Sequence, residues 1–494
     1  MNHIFNSFGL RARSTGVVAA AVLALSACDT DKLVQVEDPA QLQPDATATA
    51  AAVPSLVNGA LRQFEGGYSG LGDDAFISSS GVISDELVWG DSFTTRNAAD
   101  RRTLQPAQLG NVSDVAFSRL EQARMLSLRA AAAIDKFAAN VDNPDGLKSE
   151  LLTNEGYVYV TLSEGWCGGV PFSDVPLEGP IDPKQITYGT PQTTTQMNQL
   201  AVTRFDAALA LNPDNDLAKV GKARALLNLG QYAAAEAAVA DVSDTFVYLI
   251  EHSTNTSAQN NGLASLIDNG RYALANNEGG TTSTGAAISP DRDVSATQNA
   301  TAEGLTYRGS KDPRIPYTGP FVCFTRSRSC WTLDNYPNFD ADVPLASGVE
   351  ARLVEAEAAM NRGDGVTMMQ KLNELRANVA ALLPLLYPDQ IQVFPPPTQG
   401  APTLAPLVDP VTPAARRDLL FRERAFWLYA TGHRQGDLRR LIRNYGLTQA
   451  QVFPTGPYFR GSNYGTDVAY PVPFNEENNT SFDRSACVTS SAGT

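Results

Sequence analysis

Of the 494 residues, the stretch Thr193–Val242 constrains the fold most. It reads as three successive helices. The first covers Thr194–Leu211 and closes on Ala210-Leu211-Asn212-Pro213. The second, about Leu217–Leu229, ends in Leu229-Gly230-Gln231-Tyr232, and the third continues through Ala235, Ala238 and Val242. Gly230 permits a tight turn, because glycine enters backbone conformations that other residues resist. The small alanines let paired helices approach closely. A chain built this way stacks helical hairpins.

A helix, a Leu-Gly-x-Tyr turn and an Ala-rich helix, with Asn-Pro closing the preceding unit, form the tetratricopeptide pattern. A weaker echo spans Glu350–Val379, where Asn361-Arg362-Gly363-Asp364 separates two helical patterns. Other helices are predicted over Ala51–Glu65, stopped by Gly66-Gly67, and over about Lys148–Glu164, broken at Gly165-Trp166-Cys167-Gly168-Gly169. A long one starts behind Ser113 or Asp114 and carries Ala116, Leu120, Ala123, Leu126, Ala130, Ile134 and Phe137 at the 3.6-residue period. Pro413–Thr431 is a further helix, with Leu420, Ala425, Trp427 and Leu428 free to pack inward. The expected fold class is mainly α, a tetratricopeptide-like stack over about residues 113–249 and 349–446.

Three stretches lack helical periodicity. Residues 66–112 read as irregular and include Trp89. Residues 250–348 form a polar, loop-rich insertion with Tyr272, Tyr307, Trp331 and Tyr336; loops this long in a compact domain are usually functional or disordered. Residues 384–413 hold nine prolines in thirty positions and are expected as an extended surface excursion.

The first 28 residues carry a destination. Arg11 and Arg13 precede an apolar run, Gly16–Leu25, that is too short to span a bilayer. Leu25-Ser26-Ala27-Cys28 follows, a bacterial lipobox, so residues 1–27 read as a signal peptide and Cys28 as the lipid-bearing first residue of the mature chain. Residues 28–50 then form a flexible tether to a body over residues 51–494. Loss of two arginines and no acid takes the formal net charge from −15 to −17. An acidic surface of that strength disfavours nucleic acid and anionic head groups, so membrane attachment is through lipid only.

Four cysteines remain, Cys167, Cys323, Cys330 and Cys487, and in an exported chain they read as two disulfides with three possible connectivities. Closure of the short Cys323–Cys330 loop is the simplest choice and would leave Cys167 with Cys487. No C-x-x-C pair supports zinc.

Catalytic signatures are lacking. The mature chain has two histidines, His252 and His433, without H-E-x-x-H, and it has no phosphate-binding glycine loop. Gly67-Tyr68-Ser69-Gly70 lacks the spacing of a nucleophile elbow. Asp291/Asp293 and Asp340/Asp342 lack the rest of an EF-hand loop, so neither a metal nor a cofactor is expected. The expectation is a binding protein rather than an enzyme.

Five short elements, in order, resemble the SusD/RagB family of outer-membrane lipoproteins. They are Gly168-Gly169-Val170-Pro171-Phe172; Lys311-Asp312-Pro313-Arg314; Leu372-Asn373-Glu374-Leu375-Arg376; Arg422-Glu423-Arg424 with Gly432-His433-Arg434 and Asp437-Leu438-Arg439-Arg440; and Tyr470-Pro471-Val472-Pro473 with Glu476 and Asn478. The resemblance implies a surface-exposed nutrient-binding lipoprotein of the outer membrane, lidding a TonB-dependent transporter of the SusC kind. Its ligand would be an oligosaccharide, or alternatively a peptide. A helical-repeat scaffold that binds only proteins is the competing class. Cys167 and Cys487 fall at two of the family landmarks, which supports bridging them. The shared elements look structural, Asp437 pairing with Arg439 or Arg440 within the scaffold. Ligand contacts are therefore sought among loop aromatics, which offer flat apolar faces to sugar rings. Trp89, Tyr307 and Trp331 are the candidates, with Arg308, Asp334 and Asn335 nearby in sequence.

Replacing Cys28 by alanine is expected to leave the precursor uncleaved by the lipoprotein peptidase, as judged by mass spectrometry of the membrane fraction. Normal maturation of that variant would contradict the lipobox reading.

Overall fold

The computed structural model describes residues 49–70, 74–179, 181–276, 278, 280–281, 287–288, 306–326, 329–390, 402–453, 455–458 and 460–494. Cys28, the leader, most of the tether, and Asp291 and Asp293 lie outside the described residues. From the N-terminus the elements are α1 (Val53–Tyr68), α2 (Phe76–Ile83), β1 (Leu87–Trp89), α3 (Thr94–Asp100), α4 (Val115–Phe137) and α5 (Pro144–Gly165). Next come β2 (Val170–Pro171), β3 (Pro191–Gln192), α6 (Thr194–Leu211), α7 (Asp216–Asn228) and α8 (Tyr232–Val239). The middle of the chain holds β4 (Val247–Ile250), α9 (Gly262–Asp268), β5 (Tyr272–Leu274), β6 (Gly280–Thr281), β7 (Ala287–Ile288), β8 (Phe321–Val322), β9 (Ser329–Cys330) and β10 (Val343–Ser347). The last part is helical: α10 (Gly348–Asn361), α11 (Gly365–Ala377), α12 (Val379–Leu386), α13 (Pro413–Trp427), α14 (Arg434–Tyr445) and α15 (Gln449–Val452). Among the described residues no helix is long and apolar enough to cross a membrane.

The repeat hairpin forms where its sequence places it. Thr193 and Gln196 make a reciprocal capping box on α6, and Asn215 accepts the Ala218 N–H at 3.0 Å to start α7. Gly230 takes φ +72° in the turn to α8. A Cβ at Gly221 would lie 2.5 Å from the Phe205 ring, so α6 and α7 meet at a distance only glycine permits. The echo is the hairpin α10–α11, capped by Ser347 on the Glu350 N–H and by Asp364 on the Thr367 N–H. The fold class is mainly α, as the pattern required.

Several boundaries differ from the sequence reading. Helix α1 continues through Gly66-Gly67 because Phe64, Gly67 and Tyr68 are buried, and packing outweighs weak helix propensity. Residues 66–112 are not irregular: every residue of α2 is buried, so it shows no amphipathic period to read. The Pro-rich stretch begins later than expected, since α12 runs through Pro384. Residues 402–412 of it lie outside helix and strand and are held by α11. Asn373 exchanges hydrogen bonds with the Leu407 backbone at 2.7 and 3.2 Å, and Arg376 donates to the Ala405 carbonyl at 2.7 Å. The tail is no appendage, because Val468, Tyr470 and Val472 sit in the core.

The deepest feature is a helix of charges. Arg434, Asp437, Arg439 and Arg440 of α14 are all buried. Asp437 accepts two hydrogen bonds from Arg424 of α13, at 2.8 and 2.9 Å, and pairs with Arg440 at 3.0 Å. Arg440 forks onto Glu357 of α10 at 2.9 and 3.0 Å, while Arg434 donates to Glu278. Arg439 instead donates from one nitrogen to the carbonyls of Ser163, Glu164 and Trp166, at 2.8, 2.8 and 2.9 Å. It thus caps the C-terminal end of α5, where carbonyls lack helix partners and the dipole favours a cation. Burial, with Arg443 adding repulsion, lowers its pKa to about 9. Nearby, Glu423 receives both Arg314 and Arg376, at 2.7 and 2.8 Å.

The cysteines pair as Cys167–Cys487 and Cys323–Cys330. The first joins the loop after α5 to the tail, alongside a bond from the Cys167 N–H to the Tyr470 carbonyl at 2.8 Å.

Removing one member of a buried pair costs about 3–5 kcal/mol, against about 0–1 kcal/mol for an exposed pair. Asp437→Asn is therefore expected to lower the urea midpoint far more than Lys136→Ala, which breaks the exposed pair with Glu178. Equal small losses would contradict a structural role for Asp437.

pH dependence should carry two opposite signs. Asp437 and Glu350 are held below the usual carboxylate range despite burial, chiefly by Arg424 and by His433 respectively, so their stabilisation is present above the unfolded pKa of about 4 and is lost as pH falls through their folded values. Burial instead pushes Glu86 up to about 8, and one of its oxygens lacks a hydrogen-bond partner among the described residues. The folded state keeps that proton longer than the unfolded state, so Glu86 reduces stability as pH rises from about 4 to about 8. Glu86→Gln should gain melting temperature relative to wild type between pH 5 and pH 9 in thermal scans. A pH-independent difference would contradict the assignment.

Candidate ligand-binding site

Two of the three predicted aromatics, Trp89 and Trp331, lie on segments that flank β5. Strands β1 and β5 pair antiparallel, with Trp89 opposite Tyr272 and Leu87 opposite Leu274. The Leu274 N–H donates to the Trp331 carbonyl at 3.0 Å, which lays Trp331 along the same small patch. The Cys323–Cys330 disulfide packs there with Val88 and Ala273. Its hairpin is tied down by bonds from Phe324 N–H to the Gly270 carbonyl, 3.0 Å, and from Thr325 N–H to the Gly90 carbonyl, 3.2 Å. Both indoles are half-buried. Each carries a guanidinium on its ring, Arg460 at 3.9 Å from the Trp89 centroid and Arg308 at 3.5 Å from that of Trp331. Stacked cations fix ring orientation and hold each ring in place.

Tyr307 does not join them. It is 0% exposed, its hydroxyl donates to Glu278 at 2.8 Å, and its ring packs on Tyr429 and Phe426 with centroids 4.8 and 5.8 Å away. The hydroxyl found a buried carboxylate, which makes an inward position favourable for this aromatic. Asp334 and Asn335 are likewise engaged, Asp334 by Thr318 at 2.6 Å and Asn335 on the Arg314 carbonyl at 3.3 Å. Trp166 and Trp427 are core residues, as the sequence indicated.

A cavity of about 620 Å³ lies elsewhere, where α1, α5 and the α6–α7 turn meet β4 and β10. Phe246, Tyr248 and Ile250 line one side of it. Tyr157 also lines it and holds the Leu217 carbonyl at 3.0 Å. Glu65, Glu150, Asp214 and Asp216 contribute carboxylates, and none of its lining residues is Lys or Arg. The Tyr248 phenol is pushed up to about 12, first by burial and then by Glu65 and Glu150. Sequence reading missed this cavity. Its one signal was the alternation Phe246, Tyr248, Ile250, which puts three apolar side chains on one face of a strand.

The histidines serve the fold. His433 pairs with Glu350 at 3.1 Å. His252 lies 3.0 Å from Ser69, yet Ser69 is fully buried and the other ring nitrogen faces the Gln259 carbonyl rather than a carboxylate. Asp342 accepts the His252 backbone N–H at 3.0 Å. Among the described residues no three His, Cys, Asp or Glu side chains converge as metal ligands.

A tetratricopeptide-repeat family model matches residues 196–246, the span of α6 to α8 and the strand entry. No curated protein matches the sequence. Among solved structures, a SusD superfamily protein from Bacteroides fragilis is similar with a TM-score of 0.58 at 13% identity, over 88% of this chain and 99% of its own. A SusD-like carbohydrate binding protein from Bacteroides fragilis NCTC 9343 gives 0.56 at 14% identity, over 87% and 99%. A SusD/RagB family protein from Bacteroides thetaiotaomicron VPI-5482 gives 0.53 at 10% identity, over 89% and 97%. Identities this low speak to architecture, and on that ground the chain has the SusD-like fold, the one its motif order resembles.

Proposed function

We propose that this chain is a lipid-anchored outer-membrane protein of the SusD/RagB kind that captures oligosaccharide and passes it to a TonB-dependent barrel of the SusC kind. The observation that carries the reading is the SusD-like architecture, and the placement of Trp89 and Trp331 on segments that flank β5 supports the site. Two flat aromatic groups, drawn from distant loops and braced by arginines and a disulfide, suit stacking against the C–H faces of pyranose rings. The helical stack supplies the rigid support on which such loops work. Cys28 supplies the anchor and the acidic surface keeps the body off anionic head groups. A neighbouring gene for a TonB-dependent barrel would support the transporter half of the reading.

A glycan and peptide array probed with the soluble form starting at Asp29 identifies the ligand. By analogy with base–aromatic stacking, Trp89→Ala and Trp331→Ala should each cost about 1–3 kcal/mol, roughly tenfold or more in affinity by calorimetry, with circular dichroism unchanged. Tyr307→Phe should leave affinity intact and lower stability instead, because it strips a buried hydrogen bond. Unchanged affinity in both tryptophan variants would overturn the strip as the binding site.

A further inference from the structure

We propose that the cavity between α1, α5, the α6–α7 turn and β4 is a second ligand site, and that it takes an amino sugar, a pyranose bearing a protonated primary amine. The proposal stands apart from the tryptophan strip and does not depend on it.

Size comes first. About 620 Å³ lies within the range of about 300–1,000 Å³ that holds small organic ligands, and it far exceeds the needs of a lone cation. The walls are built for a ring rather than a thin chain. Phe246, just before β4, and Tyr248, within it, are half-buried aromatics, with Leu345 beside them on the lining. They present apolar faces to C–H groups, and aromatic faces also attract a nearby ammonium.

Charge then selects the ligand. Of the four carboxylates, Glu65 is neutralised by Arg62 at 2.8 Å and Asp216 by Lys219 at 3.0 Å. Glu150 and Asp214 make no ion pair among the described residues. Two uncompensated, exposed carboxylates on the lining of the pocket repel acidic sugars and favour a cation. Hydrogen-bonding capacity is present too. Asn212 uses its side-chain oxygen on the Asp214 N–H at 3.2 Å and leaves its amide N–H groups unengaged among the described residues. Its neighbour Asn215 is committed to Ser149 and Thr153, each at 3.0 Å, so Asn212 is the amide that meets a ligand hydroxyl. Glu150 and Asp214 are exposed, and replacing them leaves the core untouched.

The test is calorimetry on the intact soluble chain with three probes: a β-1,4-linked glucosamine trimer, its fully N-acetylated counterpart, and trilysine. The glucosamine trimer is expected to bind. The acetylated trimer, which keeps the rings and loses the charges, should bind at least tenfold more weakly. The double variant Glu150→Gln with Asp214→Asn should weaken the glucosamine trimer at least tenfold, while Lys136→Ala, which breaks an exposed pair outside the cavity lining, leaves its affinity unchanged. Equal binding of both trimers overturns the proposal, and so does trilysine binding as tightly as the sugar. Loss of binding in Trp331→Ala with none in the double variant places the ligand on the tryptophan strip, which overturns this site and leaves the capture reading standing. Absence of binding by all three probes overturns this site alone.

Discussion

Buried charge is tolerated only when it is paired, and α14 brings four ionised side chains into the interior at once. Each must find its partner, and each partner belongs to a different part of the chain. Asp437 requires Arg424 on α13, Arg440 requires Glu357 on α10, Arg434 requires Glu278 in the insertion, and Arg439 requires the open end of α5. One helix thereby fixes the relative placement of the repeat hairpins, the insertion and the long central helix. The same logic links the short elements whose order resembles the SusD/RagB pattern. Arg314 and Arg376, from two of those elements, converge on Glu423 in a third. The first and last are joined by Cys167–Cys487 and by the bridge from Trp166 to Tyr470.

A core locked this way leaves variation to the periphery. The tryptophan strip sits on short strands stapled by Cys323–Cys330, and the cavity sits where a strand closes over the first repeat hairpin. Neither involves α14 directly. Substitutions at these two places then leave undisturbed the pairing that holds the body together. The arginines on Trp89 and Trp331 extend the theme, adding stacked guanidinium groups to two half-buried aromatics.

What the sequence revealed followed periodicity. Helix α4 was legible from its apolar period, and α6 and α7 from the turn signals that close them, Asn212-Pro213 and Gly230. Helix α2 was not, since a segment buried on all sides has no pattern to distinguish it. The insertion was read as loop, yet it contributes α9 and the strands β5 and β10, which pair with partners remote in sequence, such as Val343 with Ile250. Tyr307 shows the limit for the site. A loop aromatic faces inward or outward according to whether its hydroxyl meets a buried acceptor, and Glu278 comes from a separate strand region. The cavity was hidden for a related reason: its residues come from five elements, and only the alternation through β4 is local.

Native-state hydrogen exchange tests the central claim directly, because it reads the free energy at which each element opens. If buried charge on α14 organises the body, amides of Leu438–Leu441 and of the last turn of α5 should exchange only through global unfolding, together with those of α10 and α13. Loops bearing Trp89 and Trp331 should open at lower free energy. Exchange of α14 well below the global limit, while α5 and α10 remain protected, would contradict the account.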